Sequence, residues 1–324
     1  MELLFSVIIP VYNGLEHDLP RCLDSIWSQP IDAGQYEVLC VDDVSTDNTR
    51  QWIGEQTAIH ANLRLVENAE NRRQGGARNH GMQEARGRYI VFIDQDDYFH
   101  PGTLAKTTSM AADSELDVLV VDNSREVPGK VNNEPHHHLK SEGIVPGREF
   151  IEQNAIPYSP WNYVFRRSVA VDGSIWFVEH ERIEDVDWVH RLLLAAIRVG
   201  YCSEVQVHNI IGSGATTMTA HLNPDTVYSY MRASRRLNDL AAPLSGEVAD
   251  RILRACDLYF YWGLRQCLFF SDKASTKAWH IEANASPHMH RFATSHPLAF
   301  ARITNLLSPV VRPLMKLWRR IRYT

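Results

Sequence analysis

The chain has 324 residues, 44% hydrophobic and 22% charged, with a net charge of −6. That composition suits one large globular domain or two unequal ones, and no apolar run is long enough to span a bilayer. The charge is split: residues 288–324 hold seven Lys/Arg and no Asp/Glu, which leaves −13 over the rest, and an acidic body lacks the basic stripe that general nucleic-acid binding needs.

In chain order, residues 3–10 read as an apolar strand. Leu19, Cys22, Leu23, Ile26 and Trp27 then fall on one helical face. Residues 36–42 form the next strand, and a helix begins near Ser45-Thr46-Asp47, which supplies an N-cap. Residues 63–66 are a short strand, 76–85 a helix and 89–94 a strand. Pro101 opens a helix, and 116–121 are a further strand. Repeated β-α-β order implies a Rossmann-like α/β fold, a mostly parallel sheet with helices on both faces. Residues 123–146 are polar and read as a long loop. Its Glu134-Pro135-His136-His137-His138 run is solvated rather than metal-binding, because consecutive histidines cannot all face one ion. His208 lies in a strand-like run, 205–211, as a structural or acceptor-side group. From Asp225 onward helical periodicity dominates, through Tyr230, Met231, Ile252, Leu253, Cys256, Tyr259 and Phe260. The predicted boundary falls near 220, with 1–220 as the α/β domain and 221–324 as a helical C-terminal region.

Cys22, Cys40, Cys202, Cys256 and Cys267 are scattered and odd in number, with no CxxC, so they read as core residues of a reducing compartment. The N-terminus has no basic segment ahead of its apolar residues, so a cytoplasmic protein is expected.

The most informative stretch is residues 89–97, a doubly buried strand ending in Asp94-Gln95-Asp96-Asp97. Three carboxylates so close raise one another's pKa unless a cation sits among them. Ligands of open α/β sheets bind outside the carboxyl ends of strands, and carboxylates there suit a hard divalent ion that also grips a diphosphate. The bland reading of the same residues is a solvated acidic turn.

Six segments in order resemble family 2 glycosyltransferases, which have the GT-A fold. They are Ser6 through Asn13; Val41-Asp42-Asp43-Val44-Ser45-Thr46-Asp47; Asn71 through Gly81, with Gly75-Gly76-Ala77-Arg78-Asn79; Asp94-Gln95-Asp96-Asp97; Pro160-Trp161-Asn162 with Arg166-Arg167; and Ile183-Glu184-Asp185-Val186-Asp187-Trp188. The likeness covers roughly residues 3–215. It implies an inverting enzyme that moves a sugar from a nucleotide-sugar donor, UDP-linked above others, to a glycan or lipid-linked acceptor in cell-surface polysaccharide synthesis. Asp96 and Asp97 would then hold Mn2+ or Mg2+. Pro10, Tyr12, Asp42, Asp43, Arg78, Asp94 and Gln95 would contact the donor. Arg78 would face the phosphates or pair with Asp94, and Asp94 would touch ribose or order the site. Trp161 and Asn162 would lie on the acceptor side, Trp161 as a flat wall for a sugar ring or as a core tryptophan. Asp185 is the expected general base, with Glu184 as its neighbour in contention, and Asp187 favours the helix dipole. Two residues depart from the pattern. Val44 replaces a glycine, which should keep that turn out of positive φ, and Arg73 stands where the family often has glycine.

A sugar-phosphate nucleotidyltransferase would want a Gly-rich, Arg-bearing loop after the first strand, where Val11-Tyr12-Asn13-Gly14 stands instead. A hydride-transferring Rossmann enzyme would want GxGxxG there. A non-catalytic sugar-nucleotide-binding protein would not need both acidic motifs. The basic, apolar run 309–324 has the composition of an interfacial amphipathic helix, so the C-terminal region is expected to touch the inner face of the cell membrane or a second copy of the chain.

Overall fold

The computed structural model describes residues 3–126, 133–137, 139–140, 143–210 and 224–267. It forms two compact units, residues 1–218 and 219–324. In the first unit the order is β1 (Phe5–Val11), α1 (Leu19–Trp27), β2 (Tyr36–Asp42), α2 (Thr49–Thr57), β3 (Leu63–Glu67), α3 (Arg73–Glu84), β4 (Tyr89–Phe92), β5 (Tyr98–Phe99), α4 (Thr103–Asp113), β6 (Val118–Glu126), α5 (Gly147–Gln153), β7 (Tyr163–Arg166), α6 (Arg167–Val171), α7 (Asp185–Ala195) and β8 (Val199–Ile210). The eight strands form one mixed sheet in the order β3-β2-β1-β4-β7-β6-β8-β5. Strands β3, β2, β1 and β4 run parallel, β7 is antiparallel to both β4 and β6, β8 is parallel to β6, and β5 is antiparallel to β8.

Every residue of β1 is buried, as a central strand covered on both faces requires. Phe5, Val7, Ile9 and Val11 join Leu19, Cys22, Leu23 and Ile26 of α1 in one cluster. Ile8 points the other way, onto α3, where a Cβ on Gly81 would come within 2.4 Å of it, so only glycine lets that helix sit so close. The chain order reverses beside β1, which has β2 on one side and β4 on the other. The crevice between the carboxyl ends of β1 and β4 is therefore the sheet's switch point.

The structure moves several predicted boundaries. Helix α2 starts at Thr49 rather than at 45–47, because those residues are held as a turn: Ser45 N donates to Asp42 Oδ2 (3.1 Å) and Thr46 N to Asn13 Oδ1 (2.8 Å). Helix α3 begins at Arg73, three residues early. Strand β6 continues to Glu126, through residues expected to be loop. Asp122, Asn123, Ser124 and Glu126 are polar yet buried, and are satisfied laterally: Ser124 Oγ lies 2.7 Å from His208 Nδ1 on β8. His208 is a buried structural group, stacked on Tyr98 at 4.5 Å. His136 and His137 lie on a loop seated against β6 by their backbone N–H groups.

The expectation for Val44 is overturned: its φ is +67°, and Arg73 is at +59°. Both substituted residues keep the left-handed backbone that glycine would adopt freely. The Val44 turn is over-determined by its neighbours, since Asp43 N donates to Val11 O (2.8 Å) and Asn13 N to Ser45 Oγ (2.9 Å). A β-branched residue there carries strain of about 1–2 kcal/mol, partly offset by the unfolded-chain entropy that valine removes. Val44→Gly should therefore raise stability by ~0.5–1 kcal/mol, read as a rise of about 1–4 °C in melting temperature. A fall on scanning calorimetry would mean that the isopropyl group's contacts outweigh the strain.

In the second unit α8 (Pro224–Ala241) and α9 (Glu247–Cys267) pack together through Leu237, Val248, Ile252 and Phe260, with Ser234 Oγ donating to Cys256 O at 3.0 Å. Cys22, Cys40, Cys202 and Cys256 are buried and not joined in disulfides. Among the described residues no helix is long and apolar enough to cross a membrane. The 309–324 run lies outside them.

Candidate active site

The switch-point crevice is closed by a reciprocal pair of bonds. Tyr12 N donates to Gln95 Oε1 and Gln95 Nε2 donates to Tyr12 O, both at 2.9 Å. This staples the end of β1 to the turn after β4. Pro10 is buried inside β1, while the Tyr12 ring is 42% exposed beside the crevice. At the end of β2, Asp42 Oδ2 accepts from Ser45 N while its buried Oδ1 has no partner among the described residues. Asp43 Oδ1 accepts from Asn68 Nδ2 (2.7 Å) and Arg72 N (2.8 Å). Burial pushes the Asp43 carboxyl up against those bonds.

In the turn after β4 the three carboxylates separate. Asp97 is buried against β8, accepting from Asn209 Nδ2 at 3.1 and 3.2 Å and from Ile210 N at 2.9 Å. Burial, then the charges of Asp96 and Asp94, push its carboxyl well above the usual range. Asp96 stays partly exposed. Asp94 Oδ1 receives Arg78 Nη2 at 2.8 Å, and Arg78 Nη1 reaches Glu184 Oε1 at 2.6 Å.

Arg78 is thus a buried bridge rather than an open phosphate contact. Only 1% of it is exposed, and Phe177 and Phe92 lie 5.4 and 5.9 Å from its guanidinium. Burial would lower its pKa, but Asp94 and Glu184 more than compensate and raise it. Neighbouring groups on α3 grip the loop that leads into α7. Asn79 Nδ2 donates to Phe177 O (2.9 Å) and its Oδ1 accepts from Phe177 N (2.8 Å). A Cβ on Gly75 would meet Val178 O at 2.7 Å, so glycine is what permits this approach.

Glu184 precedes α7, and Asp185 is that helix's first residue. Glu184 is buried and engaged by Arg78, whereas Asp185 keeps part of its surface open. Burial, then the Glu184 charge, push the Asp185 carboxyl up to about 8 against the opposing pull of Arg78. Asp187 lies within the helix and accepts from Arg191 at 3.1 Å. Trp161 packs partly against the core, and its indole N–H has no partner among the described residues. Asn162 is fully buried and donates to Val121 O (2.9 Å) and Asn123 Oδ1 (3.1 Å), so its NH2 holds β6 instead of facing an acceptor.

Two neighbours were not foreseen. Asn209 holds Asp97, and no sequence signal gives the register that brings β8 behind that turn. Tyr158 is pushed up to about 12 by burial and by Asp185, and stands three residues before Trp161 in a Pro-rich stretch that could have marked it.

The profile of "Glycosyl transferase family 2" matches residues 6–172. The chain is 27% identical over 255 residues to the uncharacterized glycosyltransferase YibD of Escherichia coli, covering 76% of this chain and 73% of that one. It is 28% identical over 235 residues to the poly(ribitol-phosphate) beta-N-acetylglucosaminyltransferase TarS of Staphylococcus aureus, covering 70% of this chain but 39% of TarS. The fold superposes on S. aureus TarS 1-349 in complex with UDP with a TM-score of 0.66 at 22% identity, over 99% of this chain and 93% of that one. For the mannosyltransferase PcManGT of Pyrobaculum calidifontis, in complex with GDP-Man and Mn2+, the TM-score is 0.55 at 19% identity, over 97% and 87%.

Proposed function

Because the chain belongs to glycosyl transferase family 2, we propose that it moves a sugar from a UDP-sugar to a glycan or lipid-linked acceptor, with inversion, in the synthesis of a cell-surface polysaccharide. The observation that carries this reading is the network around Arg78. It joins the carboxylate turn after β4 to the start of α7, so donor-side acids and the candidate base share one site. The TarS name, a polymer-decorating transferase, supports the substrate class.

The unpartnered Asp42 Oδ1 is suited to accept a ribose hydroxyl, and the exposed Tyr12 ring to lie against the base. Asp185 takes the proton of the acceptor hydroxyl as that oxygen bonds to the anomeric carbon and the bond to the diphosphate breaks. Asp185 is partly exposed at a helix start, whereas Glu184 is buried and bonded to Arg78.

A divalent metal fits the turn. Among the described residues no three His, Cys, Asp or Glu side chains are grouped to hold an ion by themselves. Mg2+ is commonly held by one or two carboxylates, with substrate phosphates and water completing the shell. Asp96 and Asp97 would hold it, Asp97 through acceptor capacity left on Oδ2. Bound there, the ion supplies Lewis-acid stabilisation of the leaving diphosphate.

A donor screen that reads nucleoside diphosphate release, with and without Mn2+ or Mg2+, tests the reading. Release from a UDP-sugar that rises with metal is expected. Binding of UDP-sugars without release or transfer would favour the non-catalytic alternative.

The base must be deprotonated to act, so its raised pKa sets the pH response. Well below about 8 the Asp185 carboxyl carries its proton, and kcat/KM should rise about tenfold per pH unit before levelling above pH 8. A kcat/KM profile already flat from pH 5 would exclude this carboxyl as the base.

The charge split supports peripheral attachment of the C-terminal tail to an anionic membrane face. Deleting residues 309–324 should abolish co-sedimentation with anionic liposomes while sparing UDP-sugar hydrolysis. Equal sedimentation of both proteins at low salt would count against it.

A further inference from the structure

The Arg78 bridge has a consequence for catalysis that its place in a donor-side motif conceals. Both terminal nitrogens of the guanidinium are bonded, one to Asp94 and one to Glu184, and its buried Nε has no partner among the described residues. These bonds use two of its five N–H donors, and with only 1% of the residue exposed the others have little surface to offer a diphosphate. Its two partners belong to different parts of the chain. Asp94 opens the turn whose next carboxylates are the candidate metal ligands, and Glu184 is the residue immediately before the candidate base.

We infer that Arg78 is a positioning residue, which sets where Asp185 stands relative to the donor turn by holding Glu184 and Asp94 at one fixed separation. The inference rests on the transferase reading above. The fork of an arginine reaches two carboxylates at once in a set geometry; the single ammonium of lysine does not. The bridge is also braced. Phe177 packs face to face on Trp188 of α7 at 4.2 Å, and Asn79 pins the Phe177 backbone from both sides. Arg72 adds an outer ion pair to Glu179 at 2.8 Å. One face of α3 therefore acts as the dock for the loop leading to the base, and Arg78 is a contact that also reaches the donor turn. Movement of Asp185 by even 1 Å from the line of attack would cost turnover without touching the nucleotide's own contacts.

The test compares three variants with the full-length wild-type protein, using UDP affinity by calorimetry, steady-state turnover on the donor found in the screen, and melting temperature. Arg78→Lys should lower kcat by ~10²-fold with UDP affinity within about threefold of wild type, the signature of misplacement without lost binding. Arg78→Lys can also destabilise, so the neutral pair Arg78→Gln with Glu184→Gln provides a second arm. It removes one charge of each sign from the buried network and should recover melting temperature relative to Arg78→Gln alone, yet leave kcat low. Recovery of kcat by the neutral pair would overturn the inference, since charge balance alone would then account for Arg78. Loss of UDP affinity of about tenfold with kcat intact would also overturn it and make Arg78 a phosphate ligand. If wild-type protein releases no UDP from any donor, the transferase reading fails and the inference falls with it, an outcome distinct from an active wild type with unchanged variants.

Discussion

Asp185→Asn is expected to lower turnover by ~10²–10⁴-fold while leaving UDP affinity nearly unchanged. Asparagine is nearly isosteric with aspartate, so the start of α7 keeps its shape. What is lost is the lone pair able to take the acceptor proton. Binding should survive because the groups proposed to meet the nucleotide, Asp42, Asp43 and Tyr12, lie at the ends of β1 and β2, on the parallel half of the sheet. Glu184→Gln serves as the contrast. Glu184 receives Arg78 at 2.6 Å, so its amide should weaken the bridge and lower turnover less than Asp185→Asn does. Near-normal turnover in Asp185→Asn with a collapse in Glu184→Gln would exchange the two roles. Product NMR should show an inverted anomeric centre; retention would exclude a single displacement.

The second large effect is expected at Asp96. Asp96→Asn should weaken metal-supported UDP binding by at least ~1.4 kcal/mol, tenfold in affinity, measured calorimetrically with and without chelator. The electrostatic argument is local. Asp97 is buried with its carboxyl raised, and Asp94 is tied to Arg78, whereas Asp96 is partly exposed at the same turn. In chelator the wild type and the variant should bind alike. Wild-type binding that is equal with and without chelator would remove the metal from the donor site.

The parallel half of the fold was legible because its signals are local. Residues 36–42 and 89–94 are apolar runs bounded by acidic turns, and strand β2 matches its expected span to the residue. The end of β6 was not legible, because a strand whose buried side chains are Asp122, Asn123, Ser124 and Glu126 has the hydropathy of a loop. Those groups are satisfied by β8, through Tyr201 and His208, and by Asn162, His137 and Tyr98 around it. The acidic clusters marked candidate site residues but not their wiring. Arg78 was recognised as pairing with Asp94 or facing phosphate, yet its second partner lies 106 positions away. Val44 shows the opposite failure. A residue-level rule against positive φ was sound in energy but lost to the surrounding hydrogen bonds.

The staple between Tyr12 and Gln95 also bears on how such a site diversifies. Both of its bonds are made to the peptide group of residue 12, and none to the tyrosine ring. Position 12 can therefore exchange its exposed side chain while the join between β1 and the acidic turn stays intact. Position 95 has no such latitude, since its amide supplies both the donor and the acceptor. If the proposed nucleotide role holds, a change of donor base can draw on residue 12 while residue 95 stays as the fixed pin of the join.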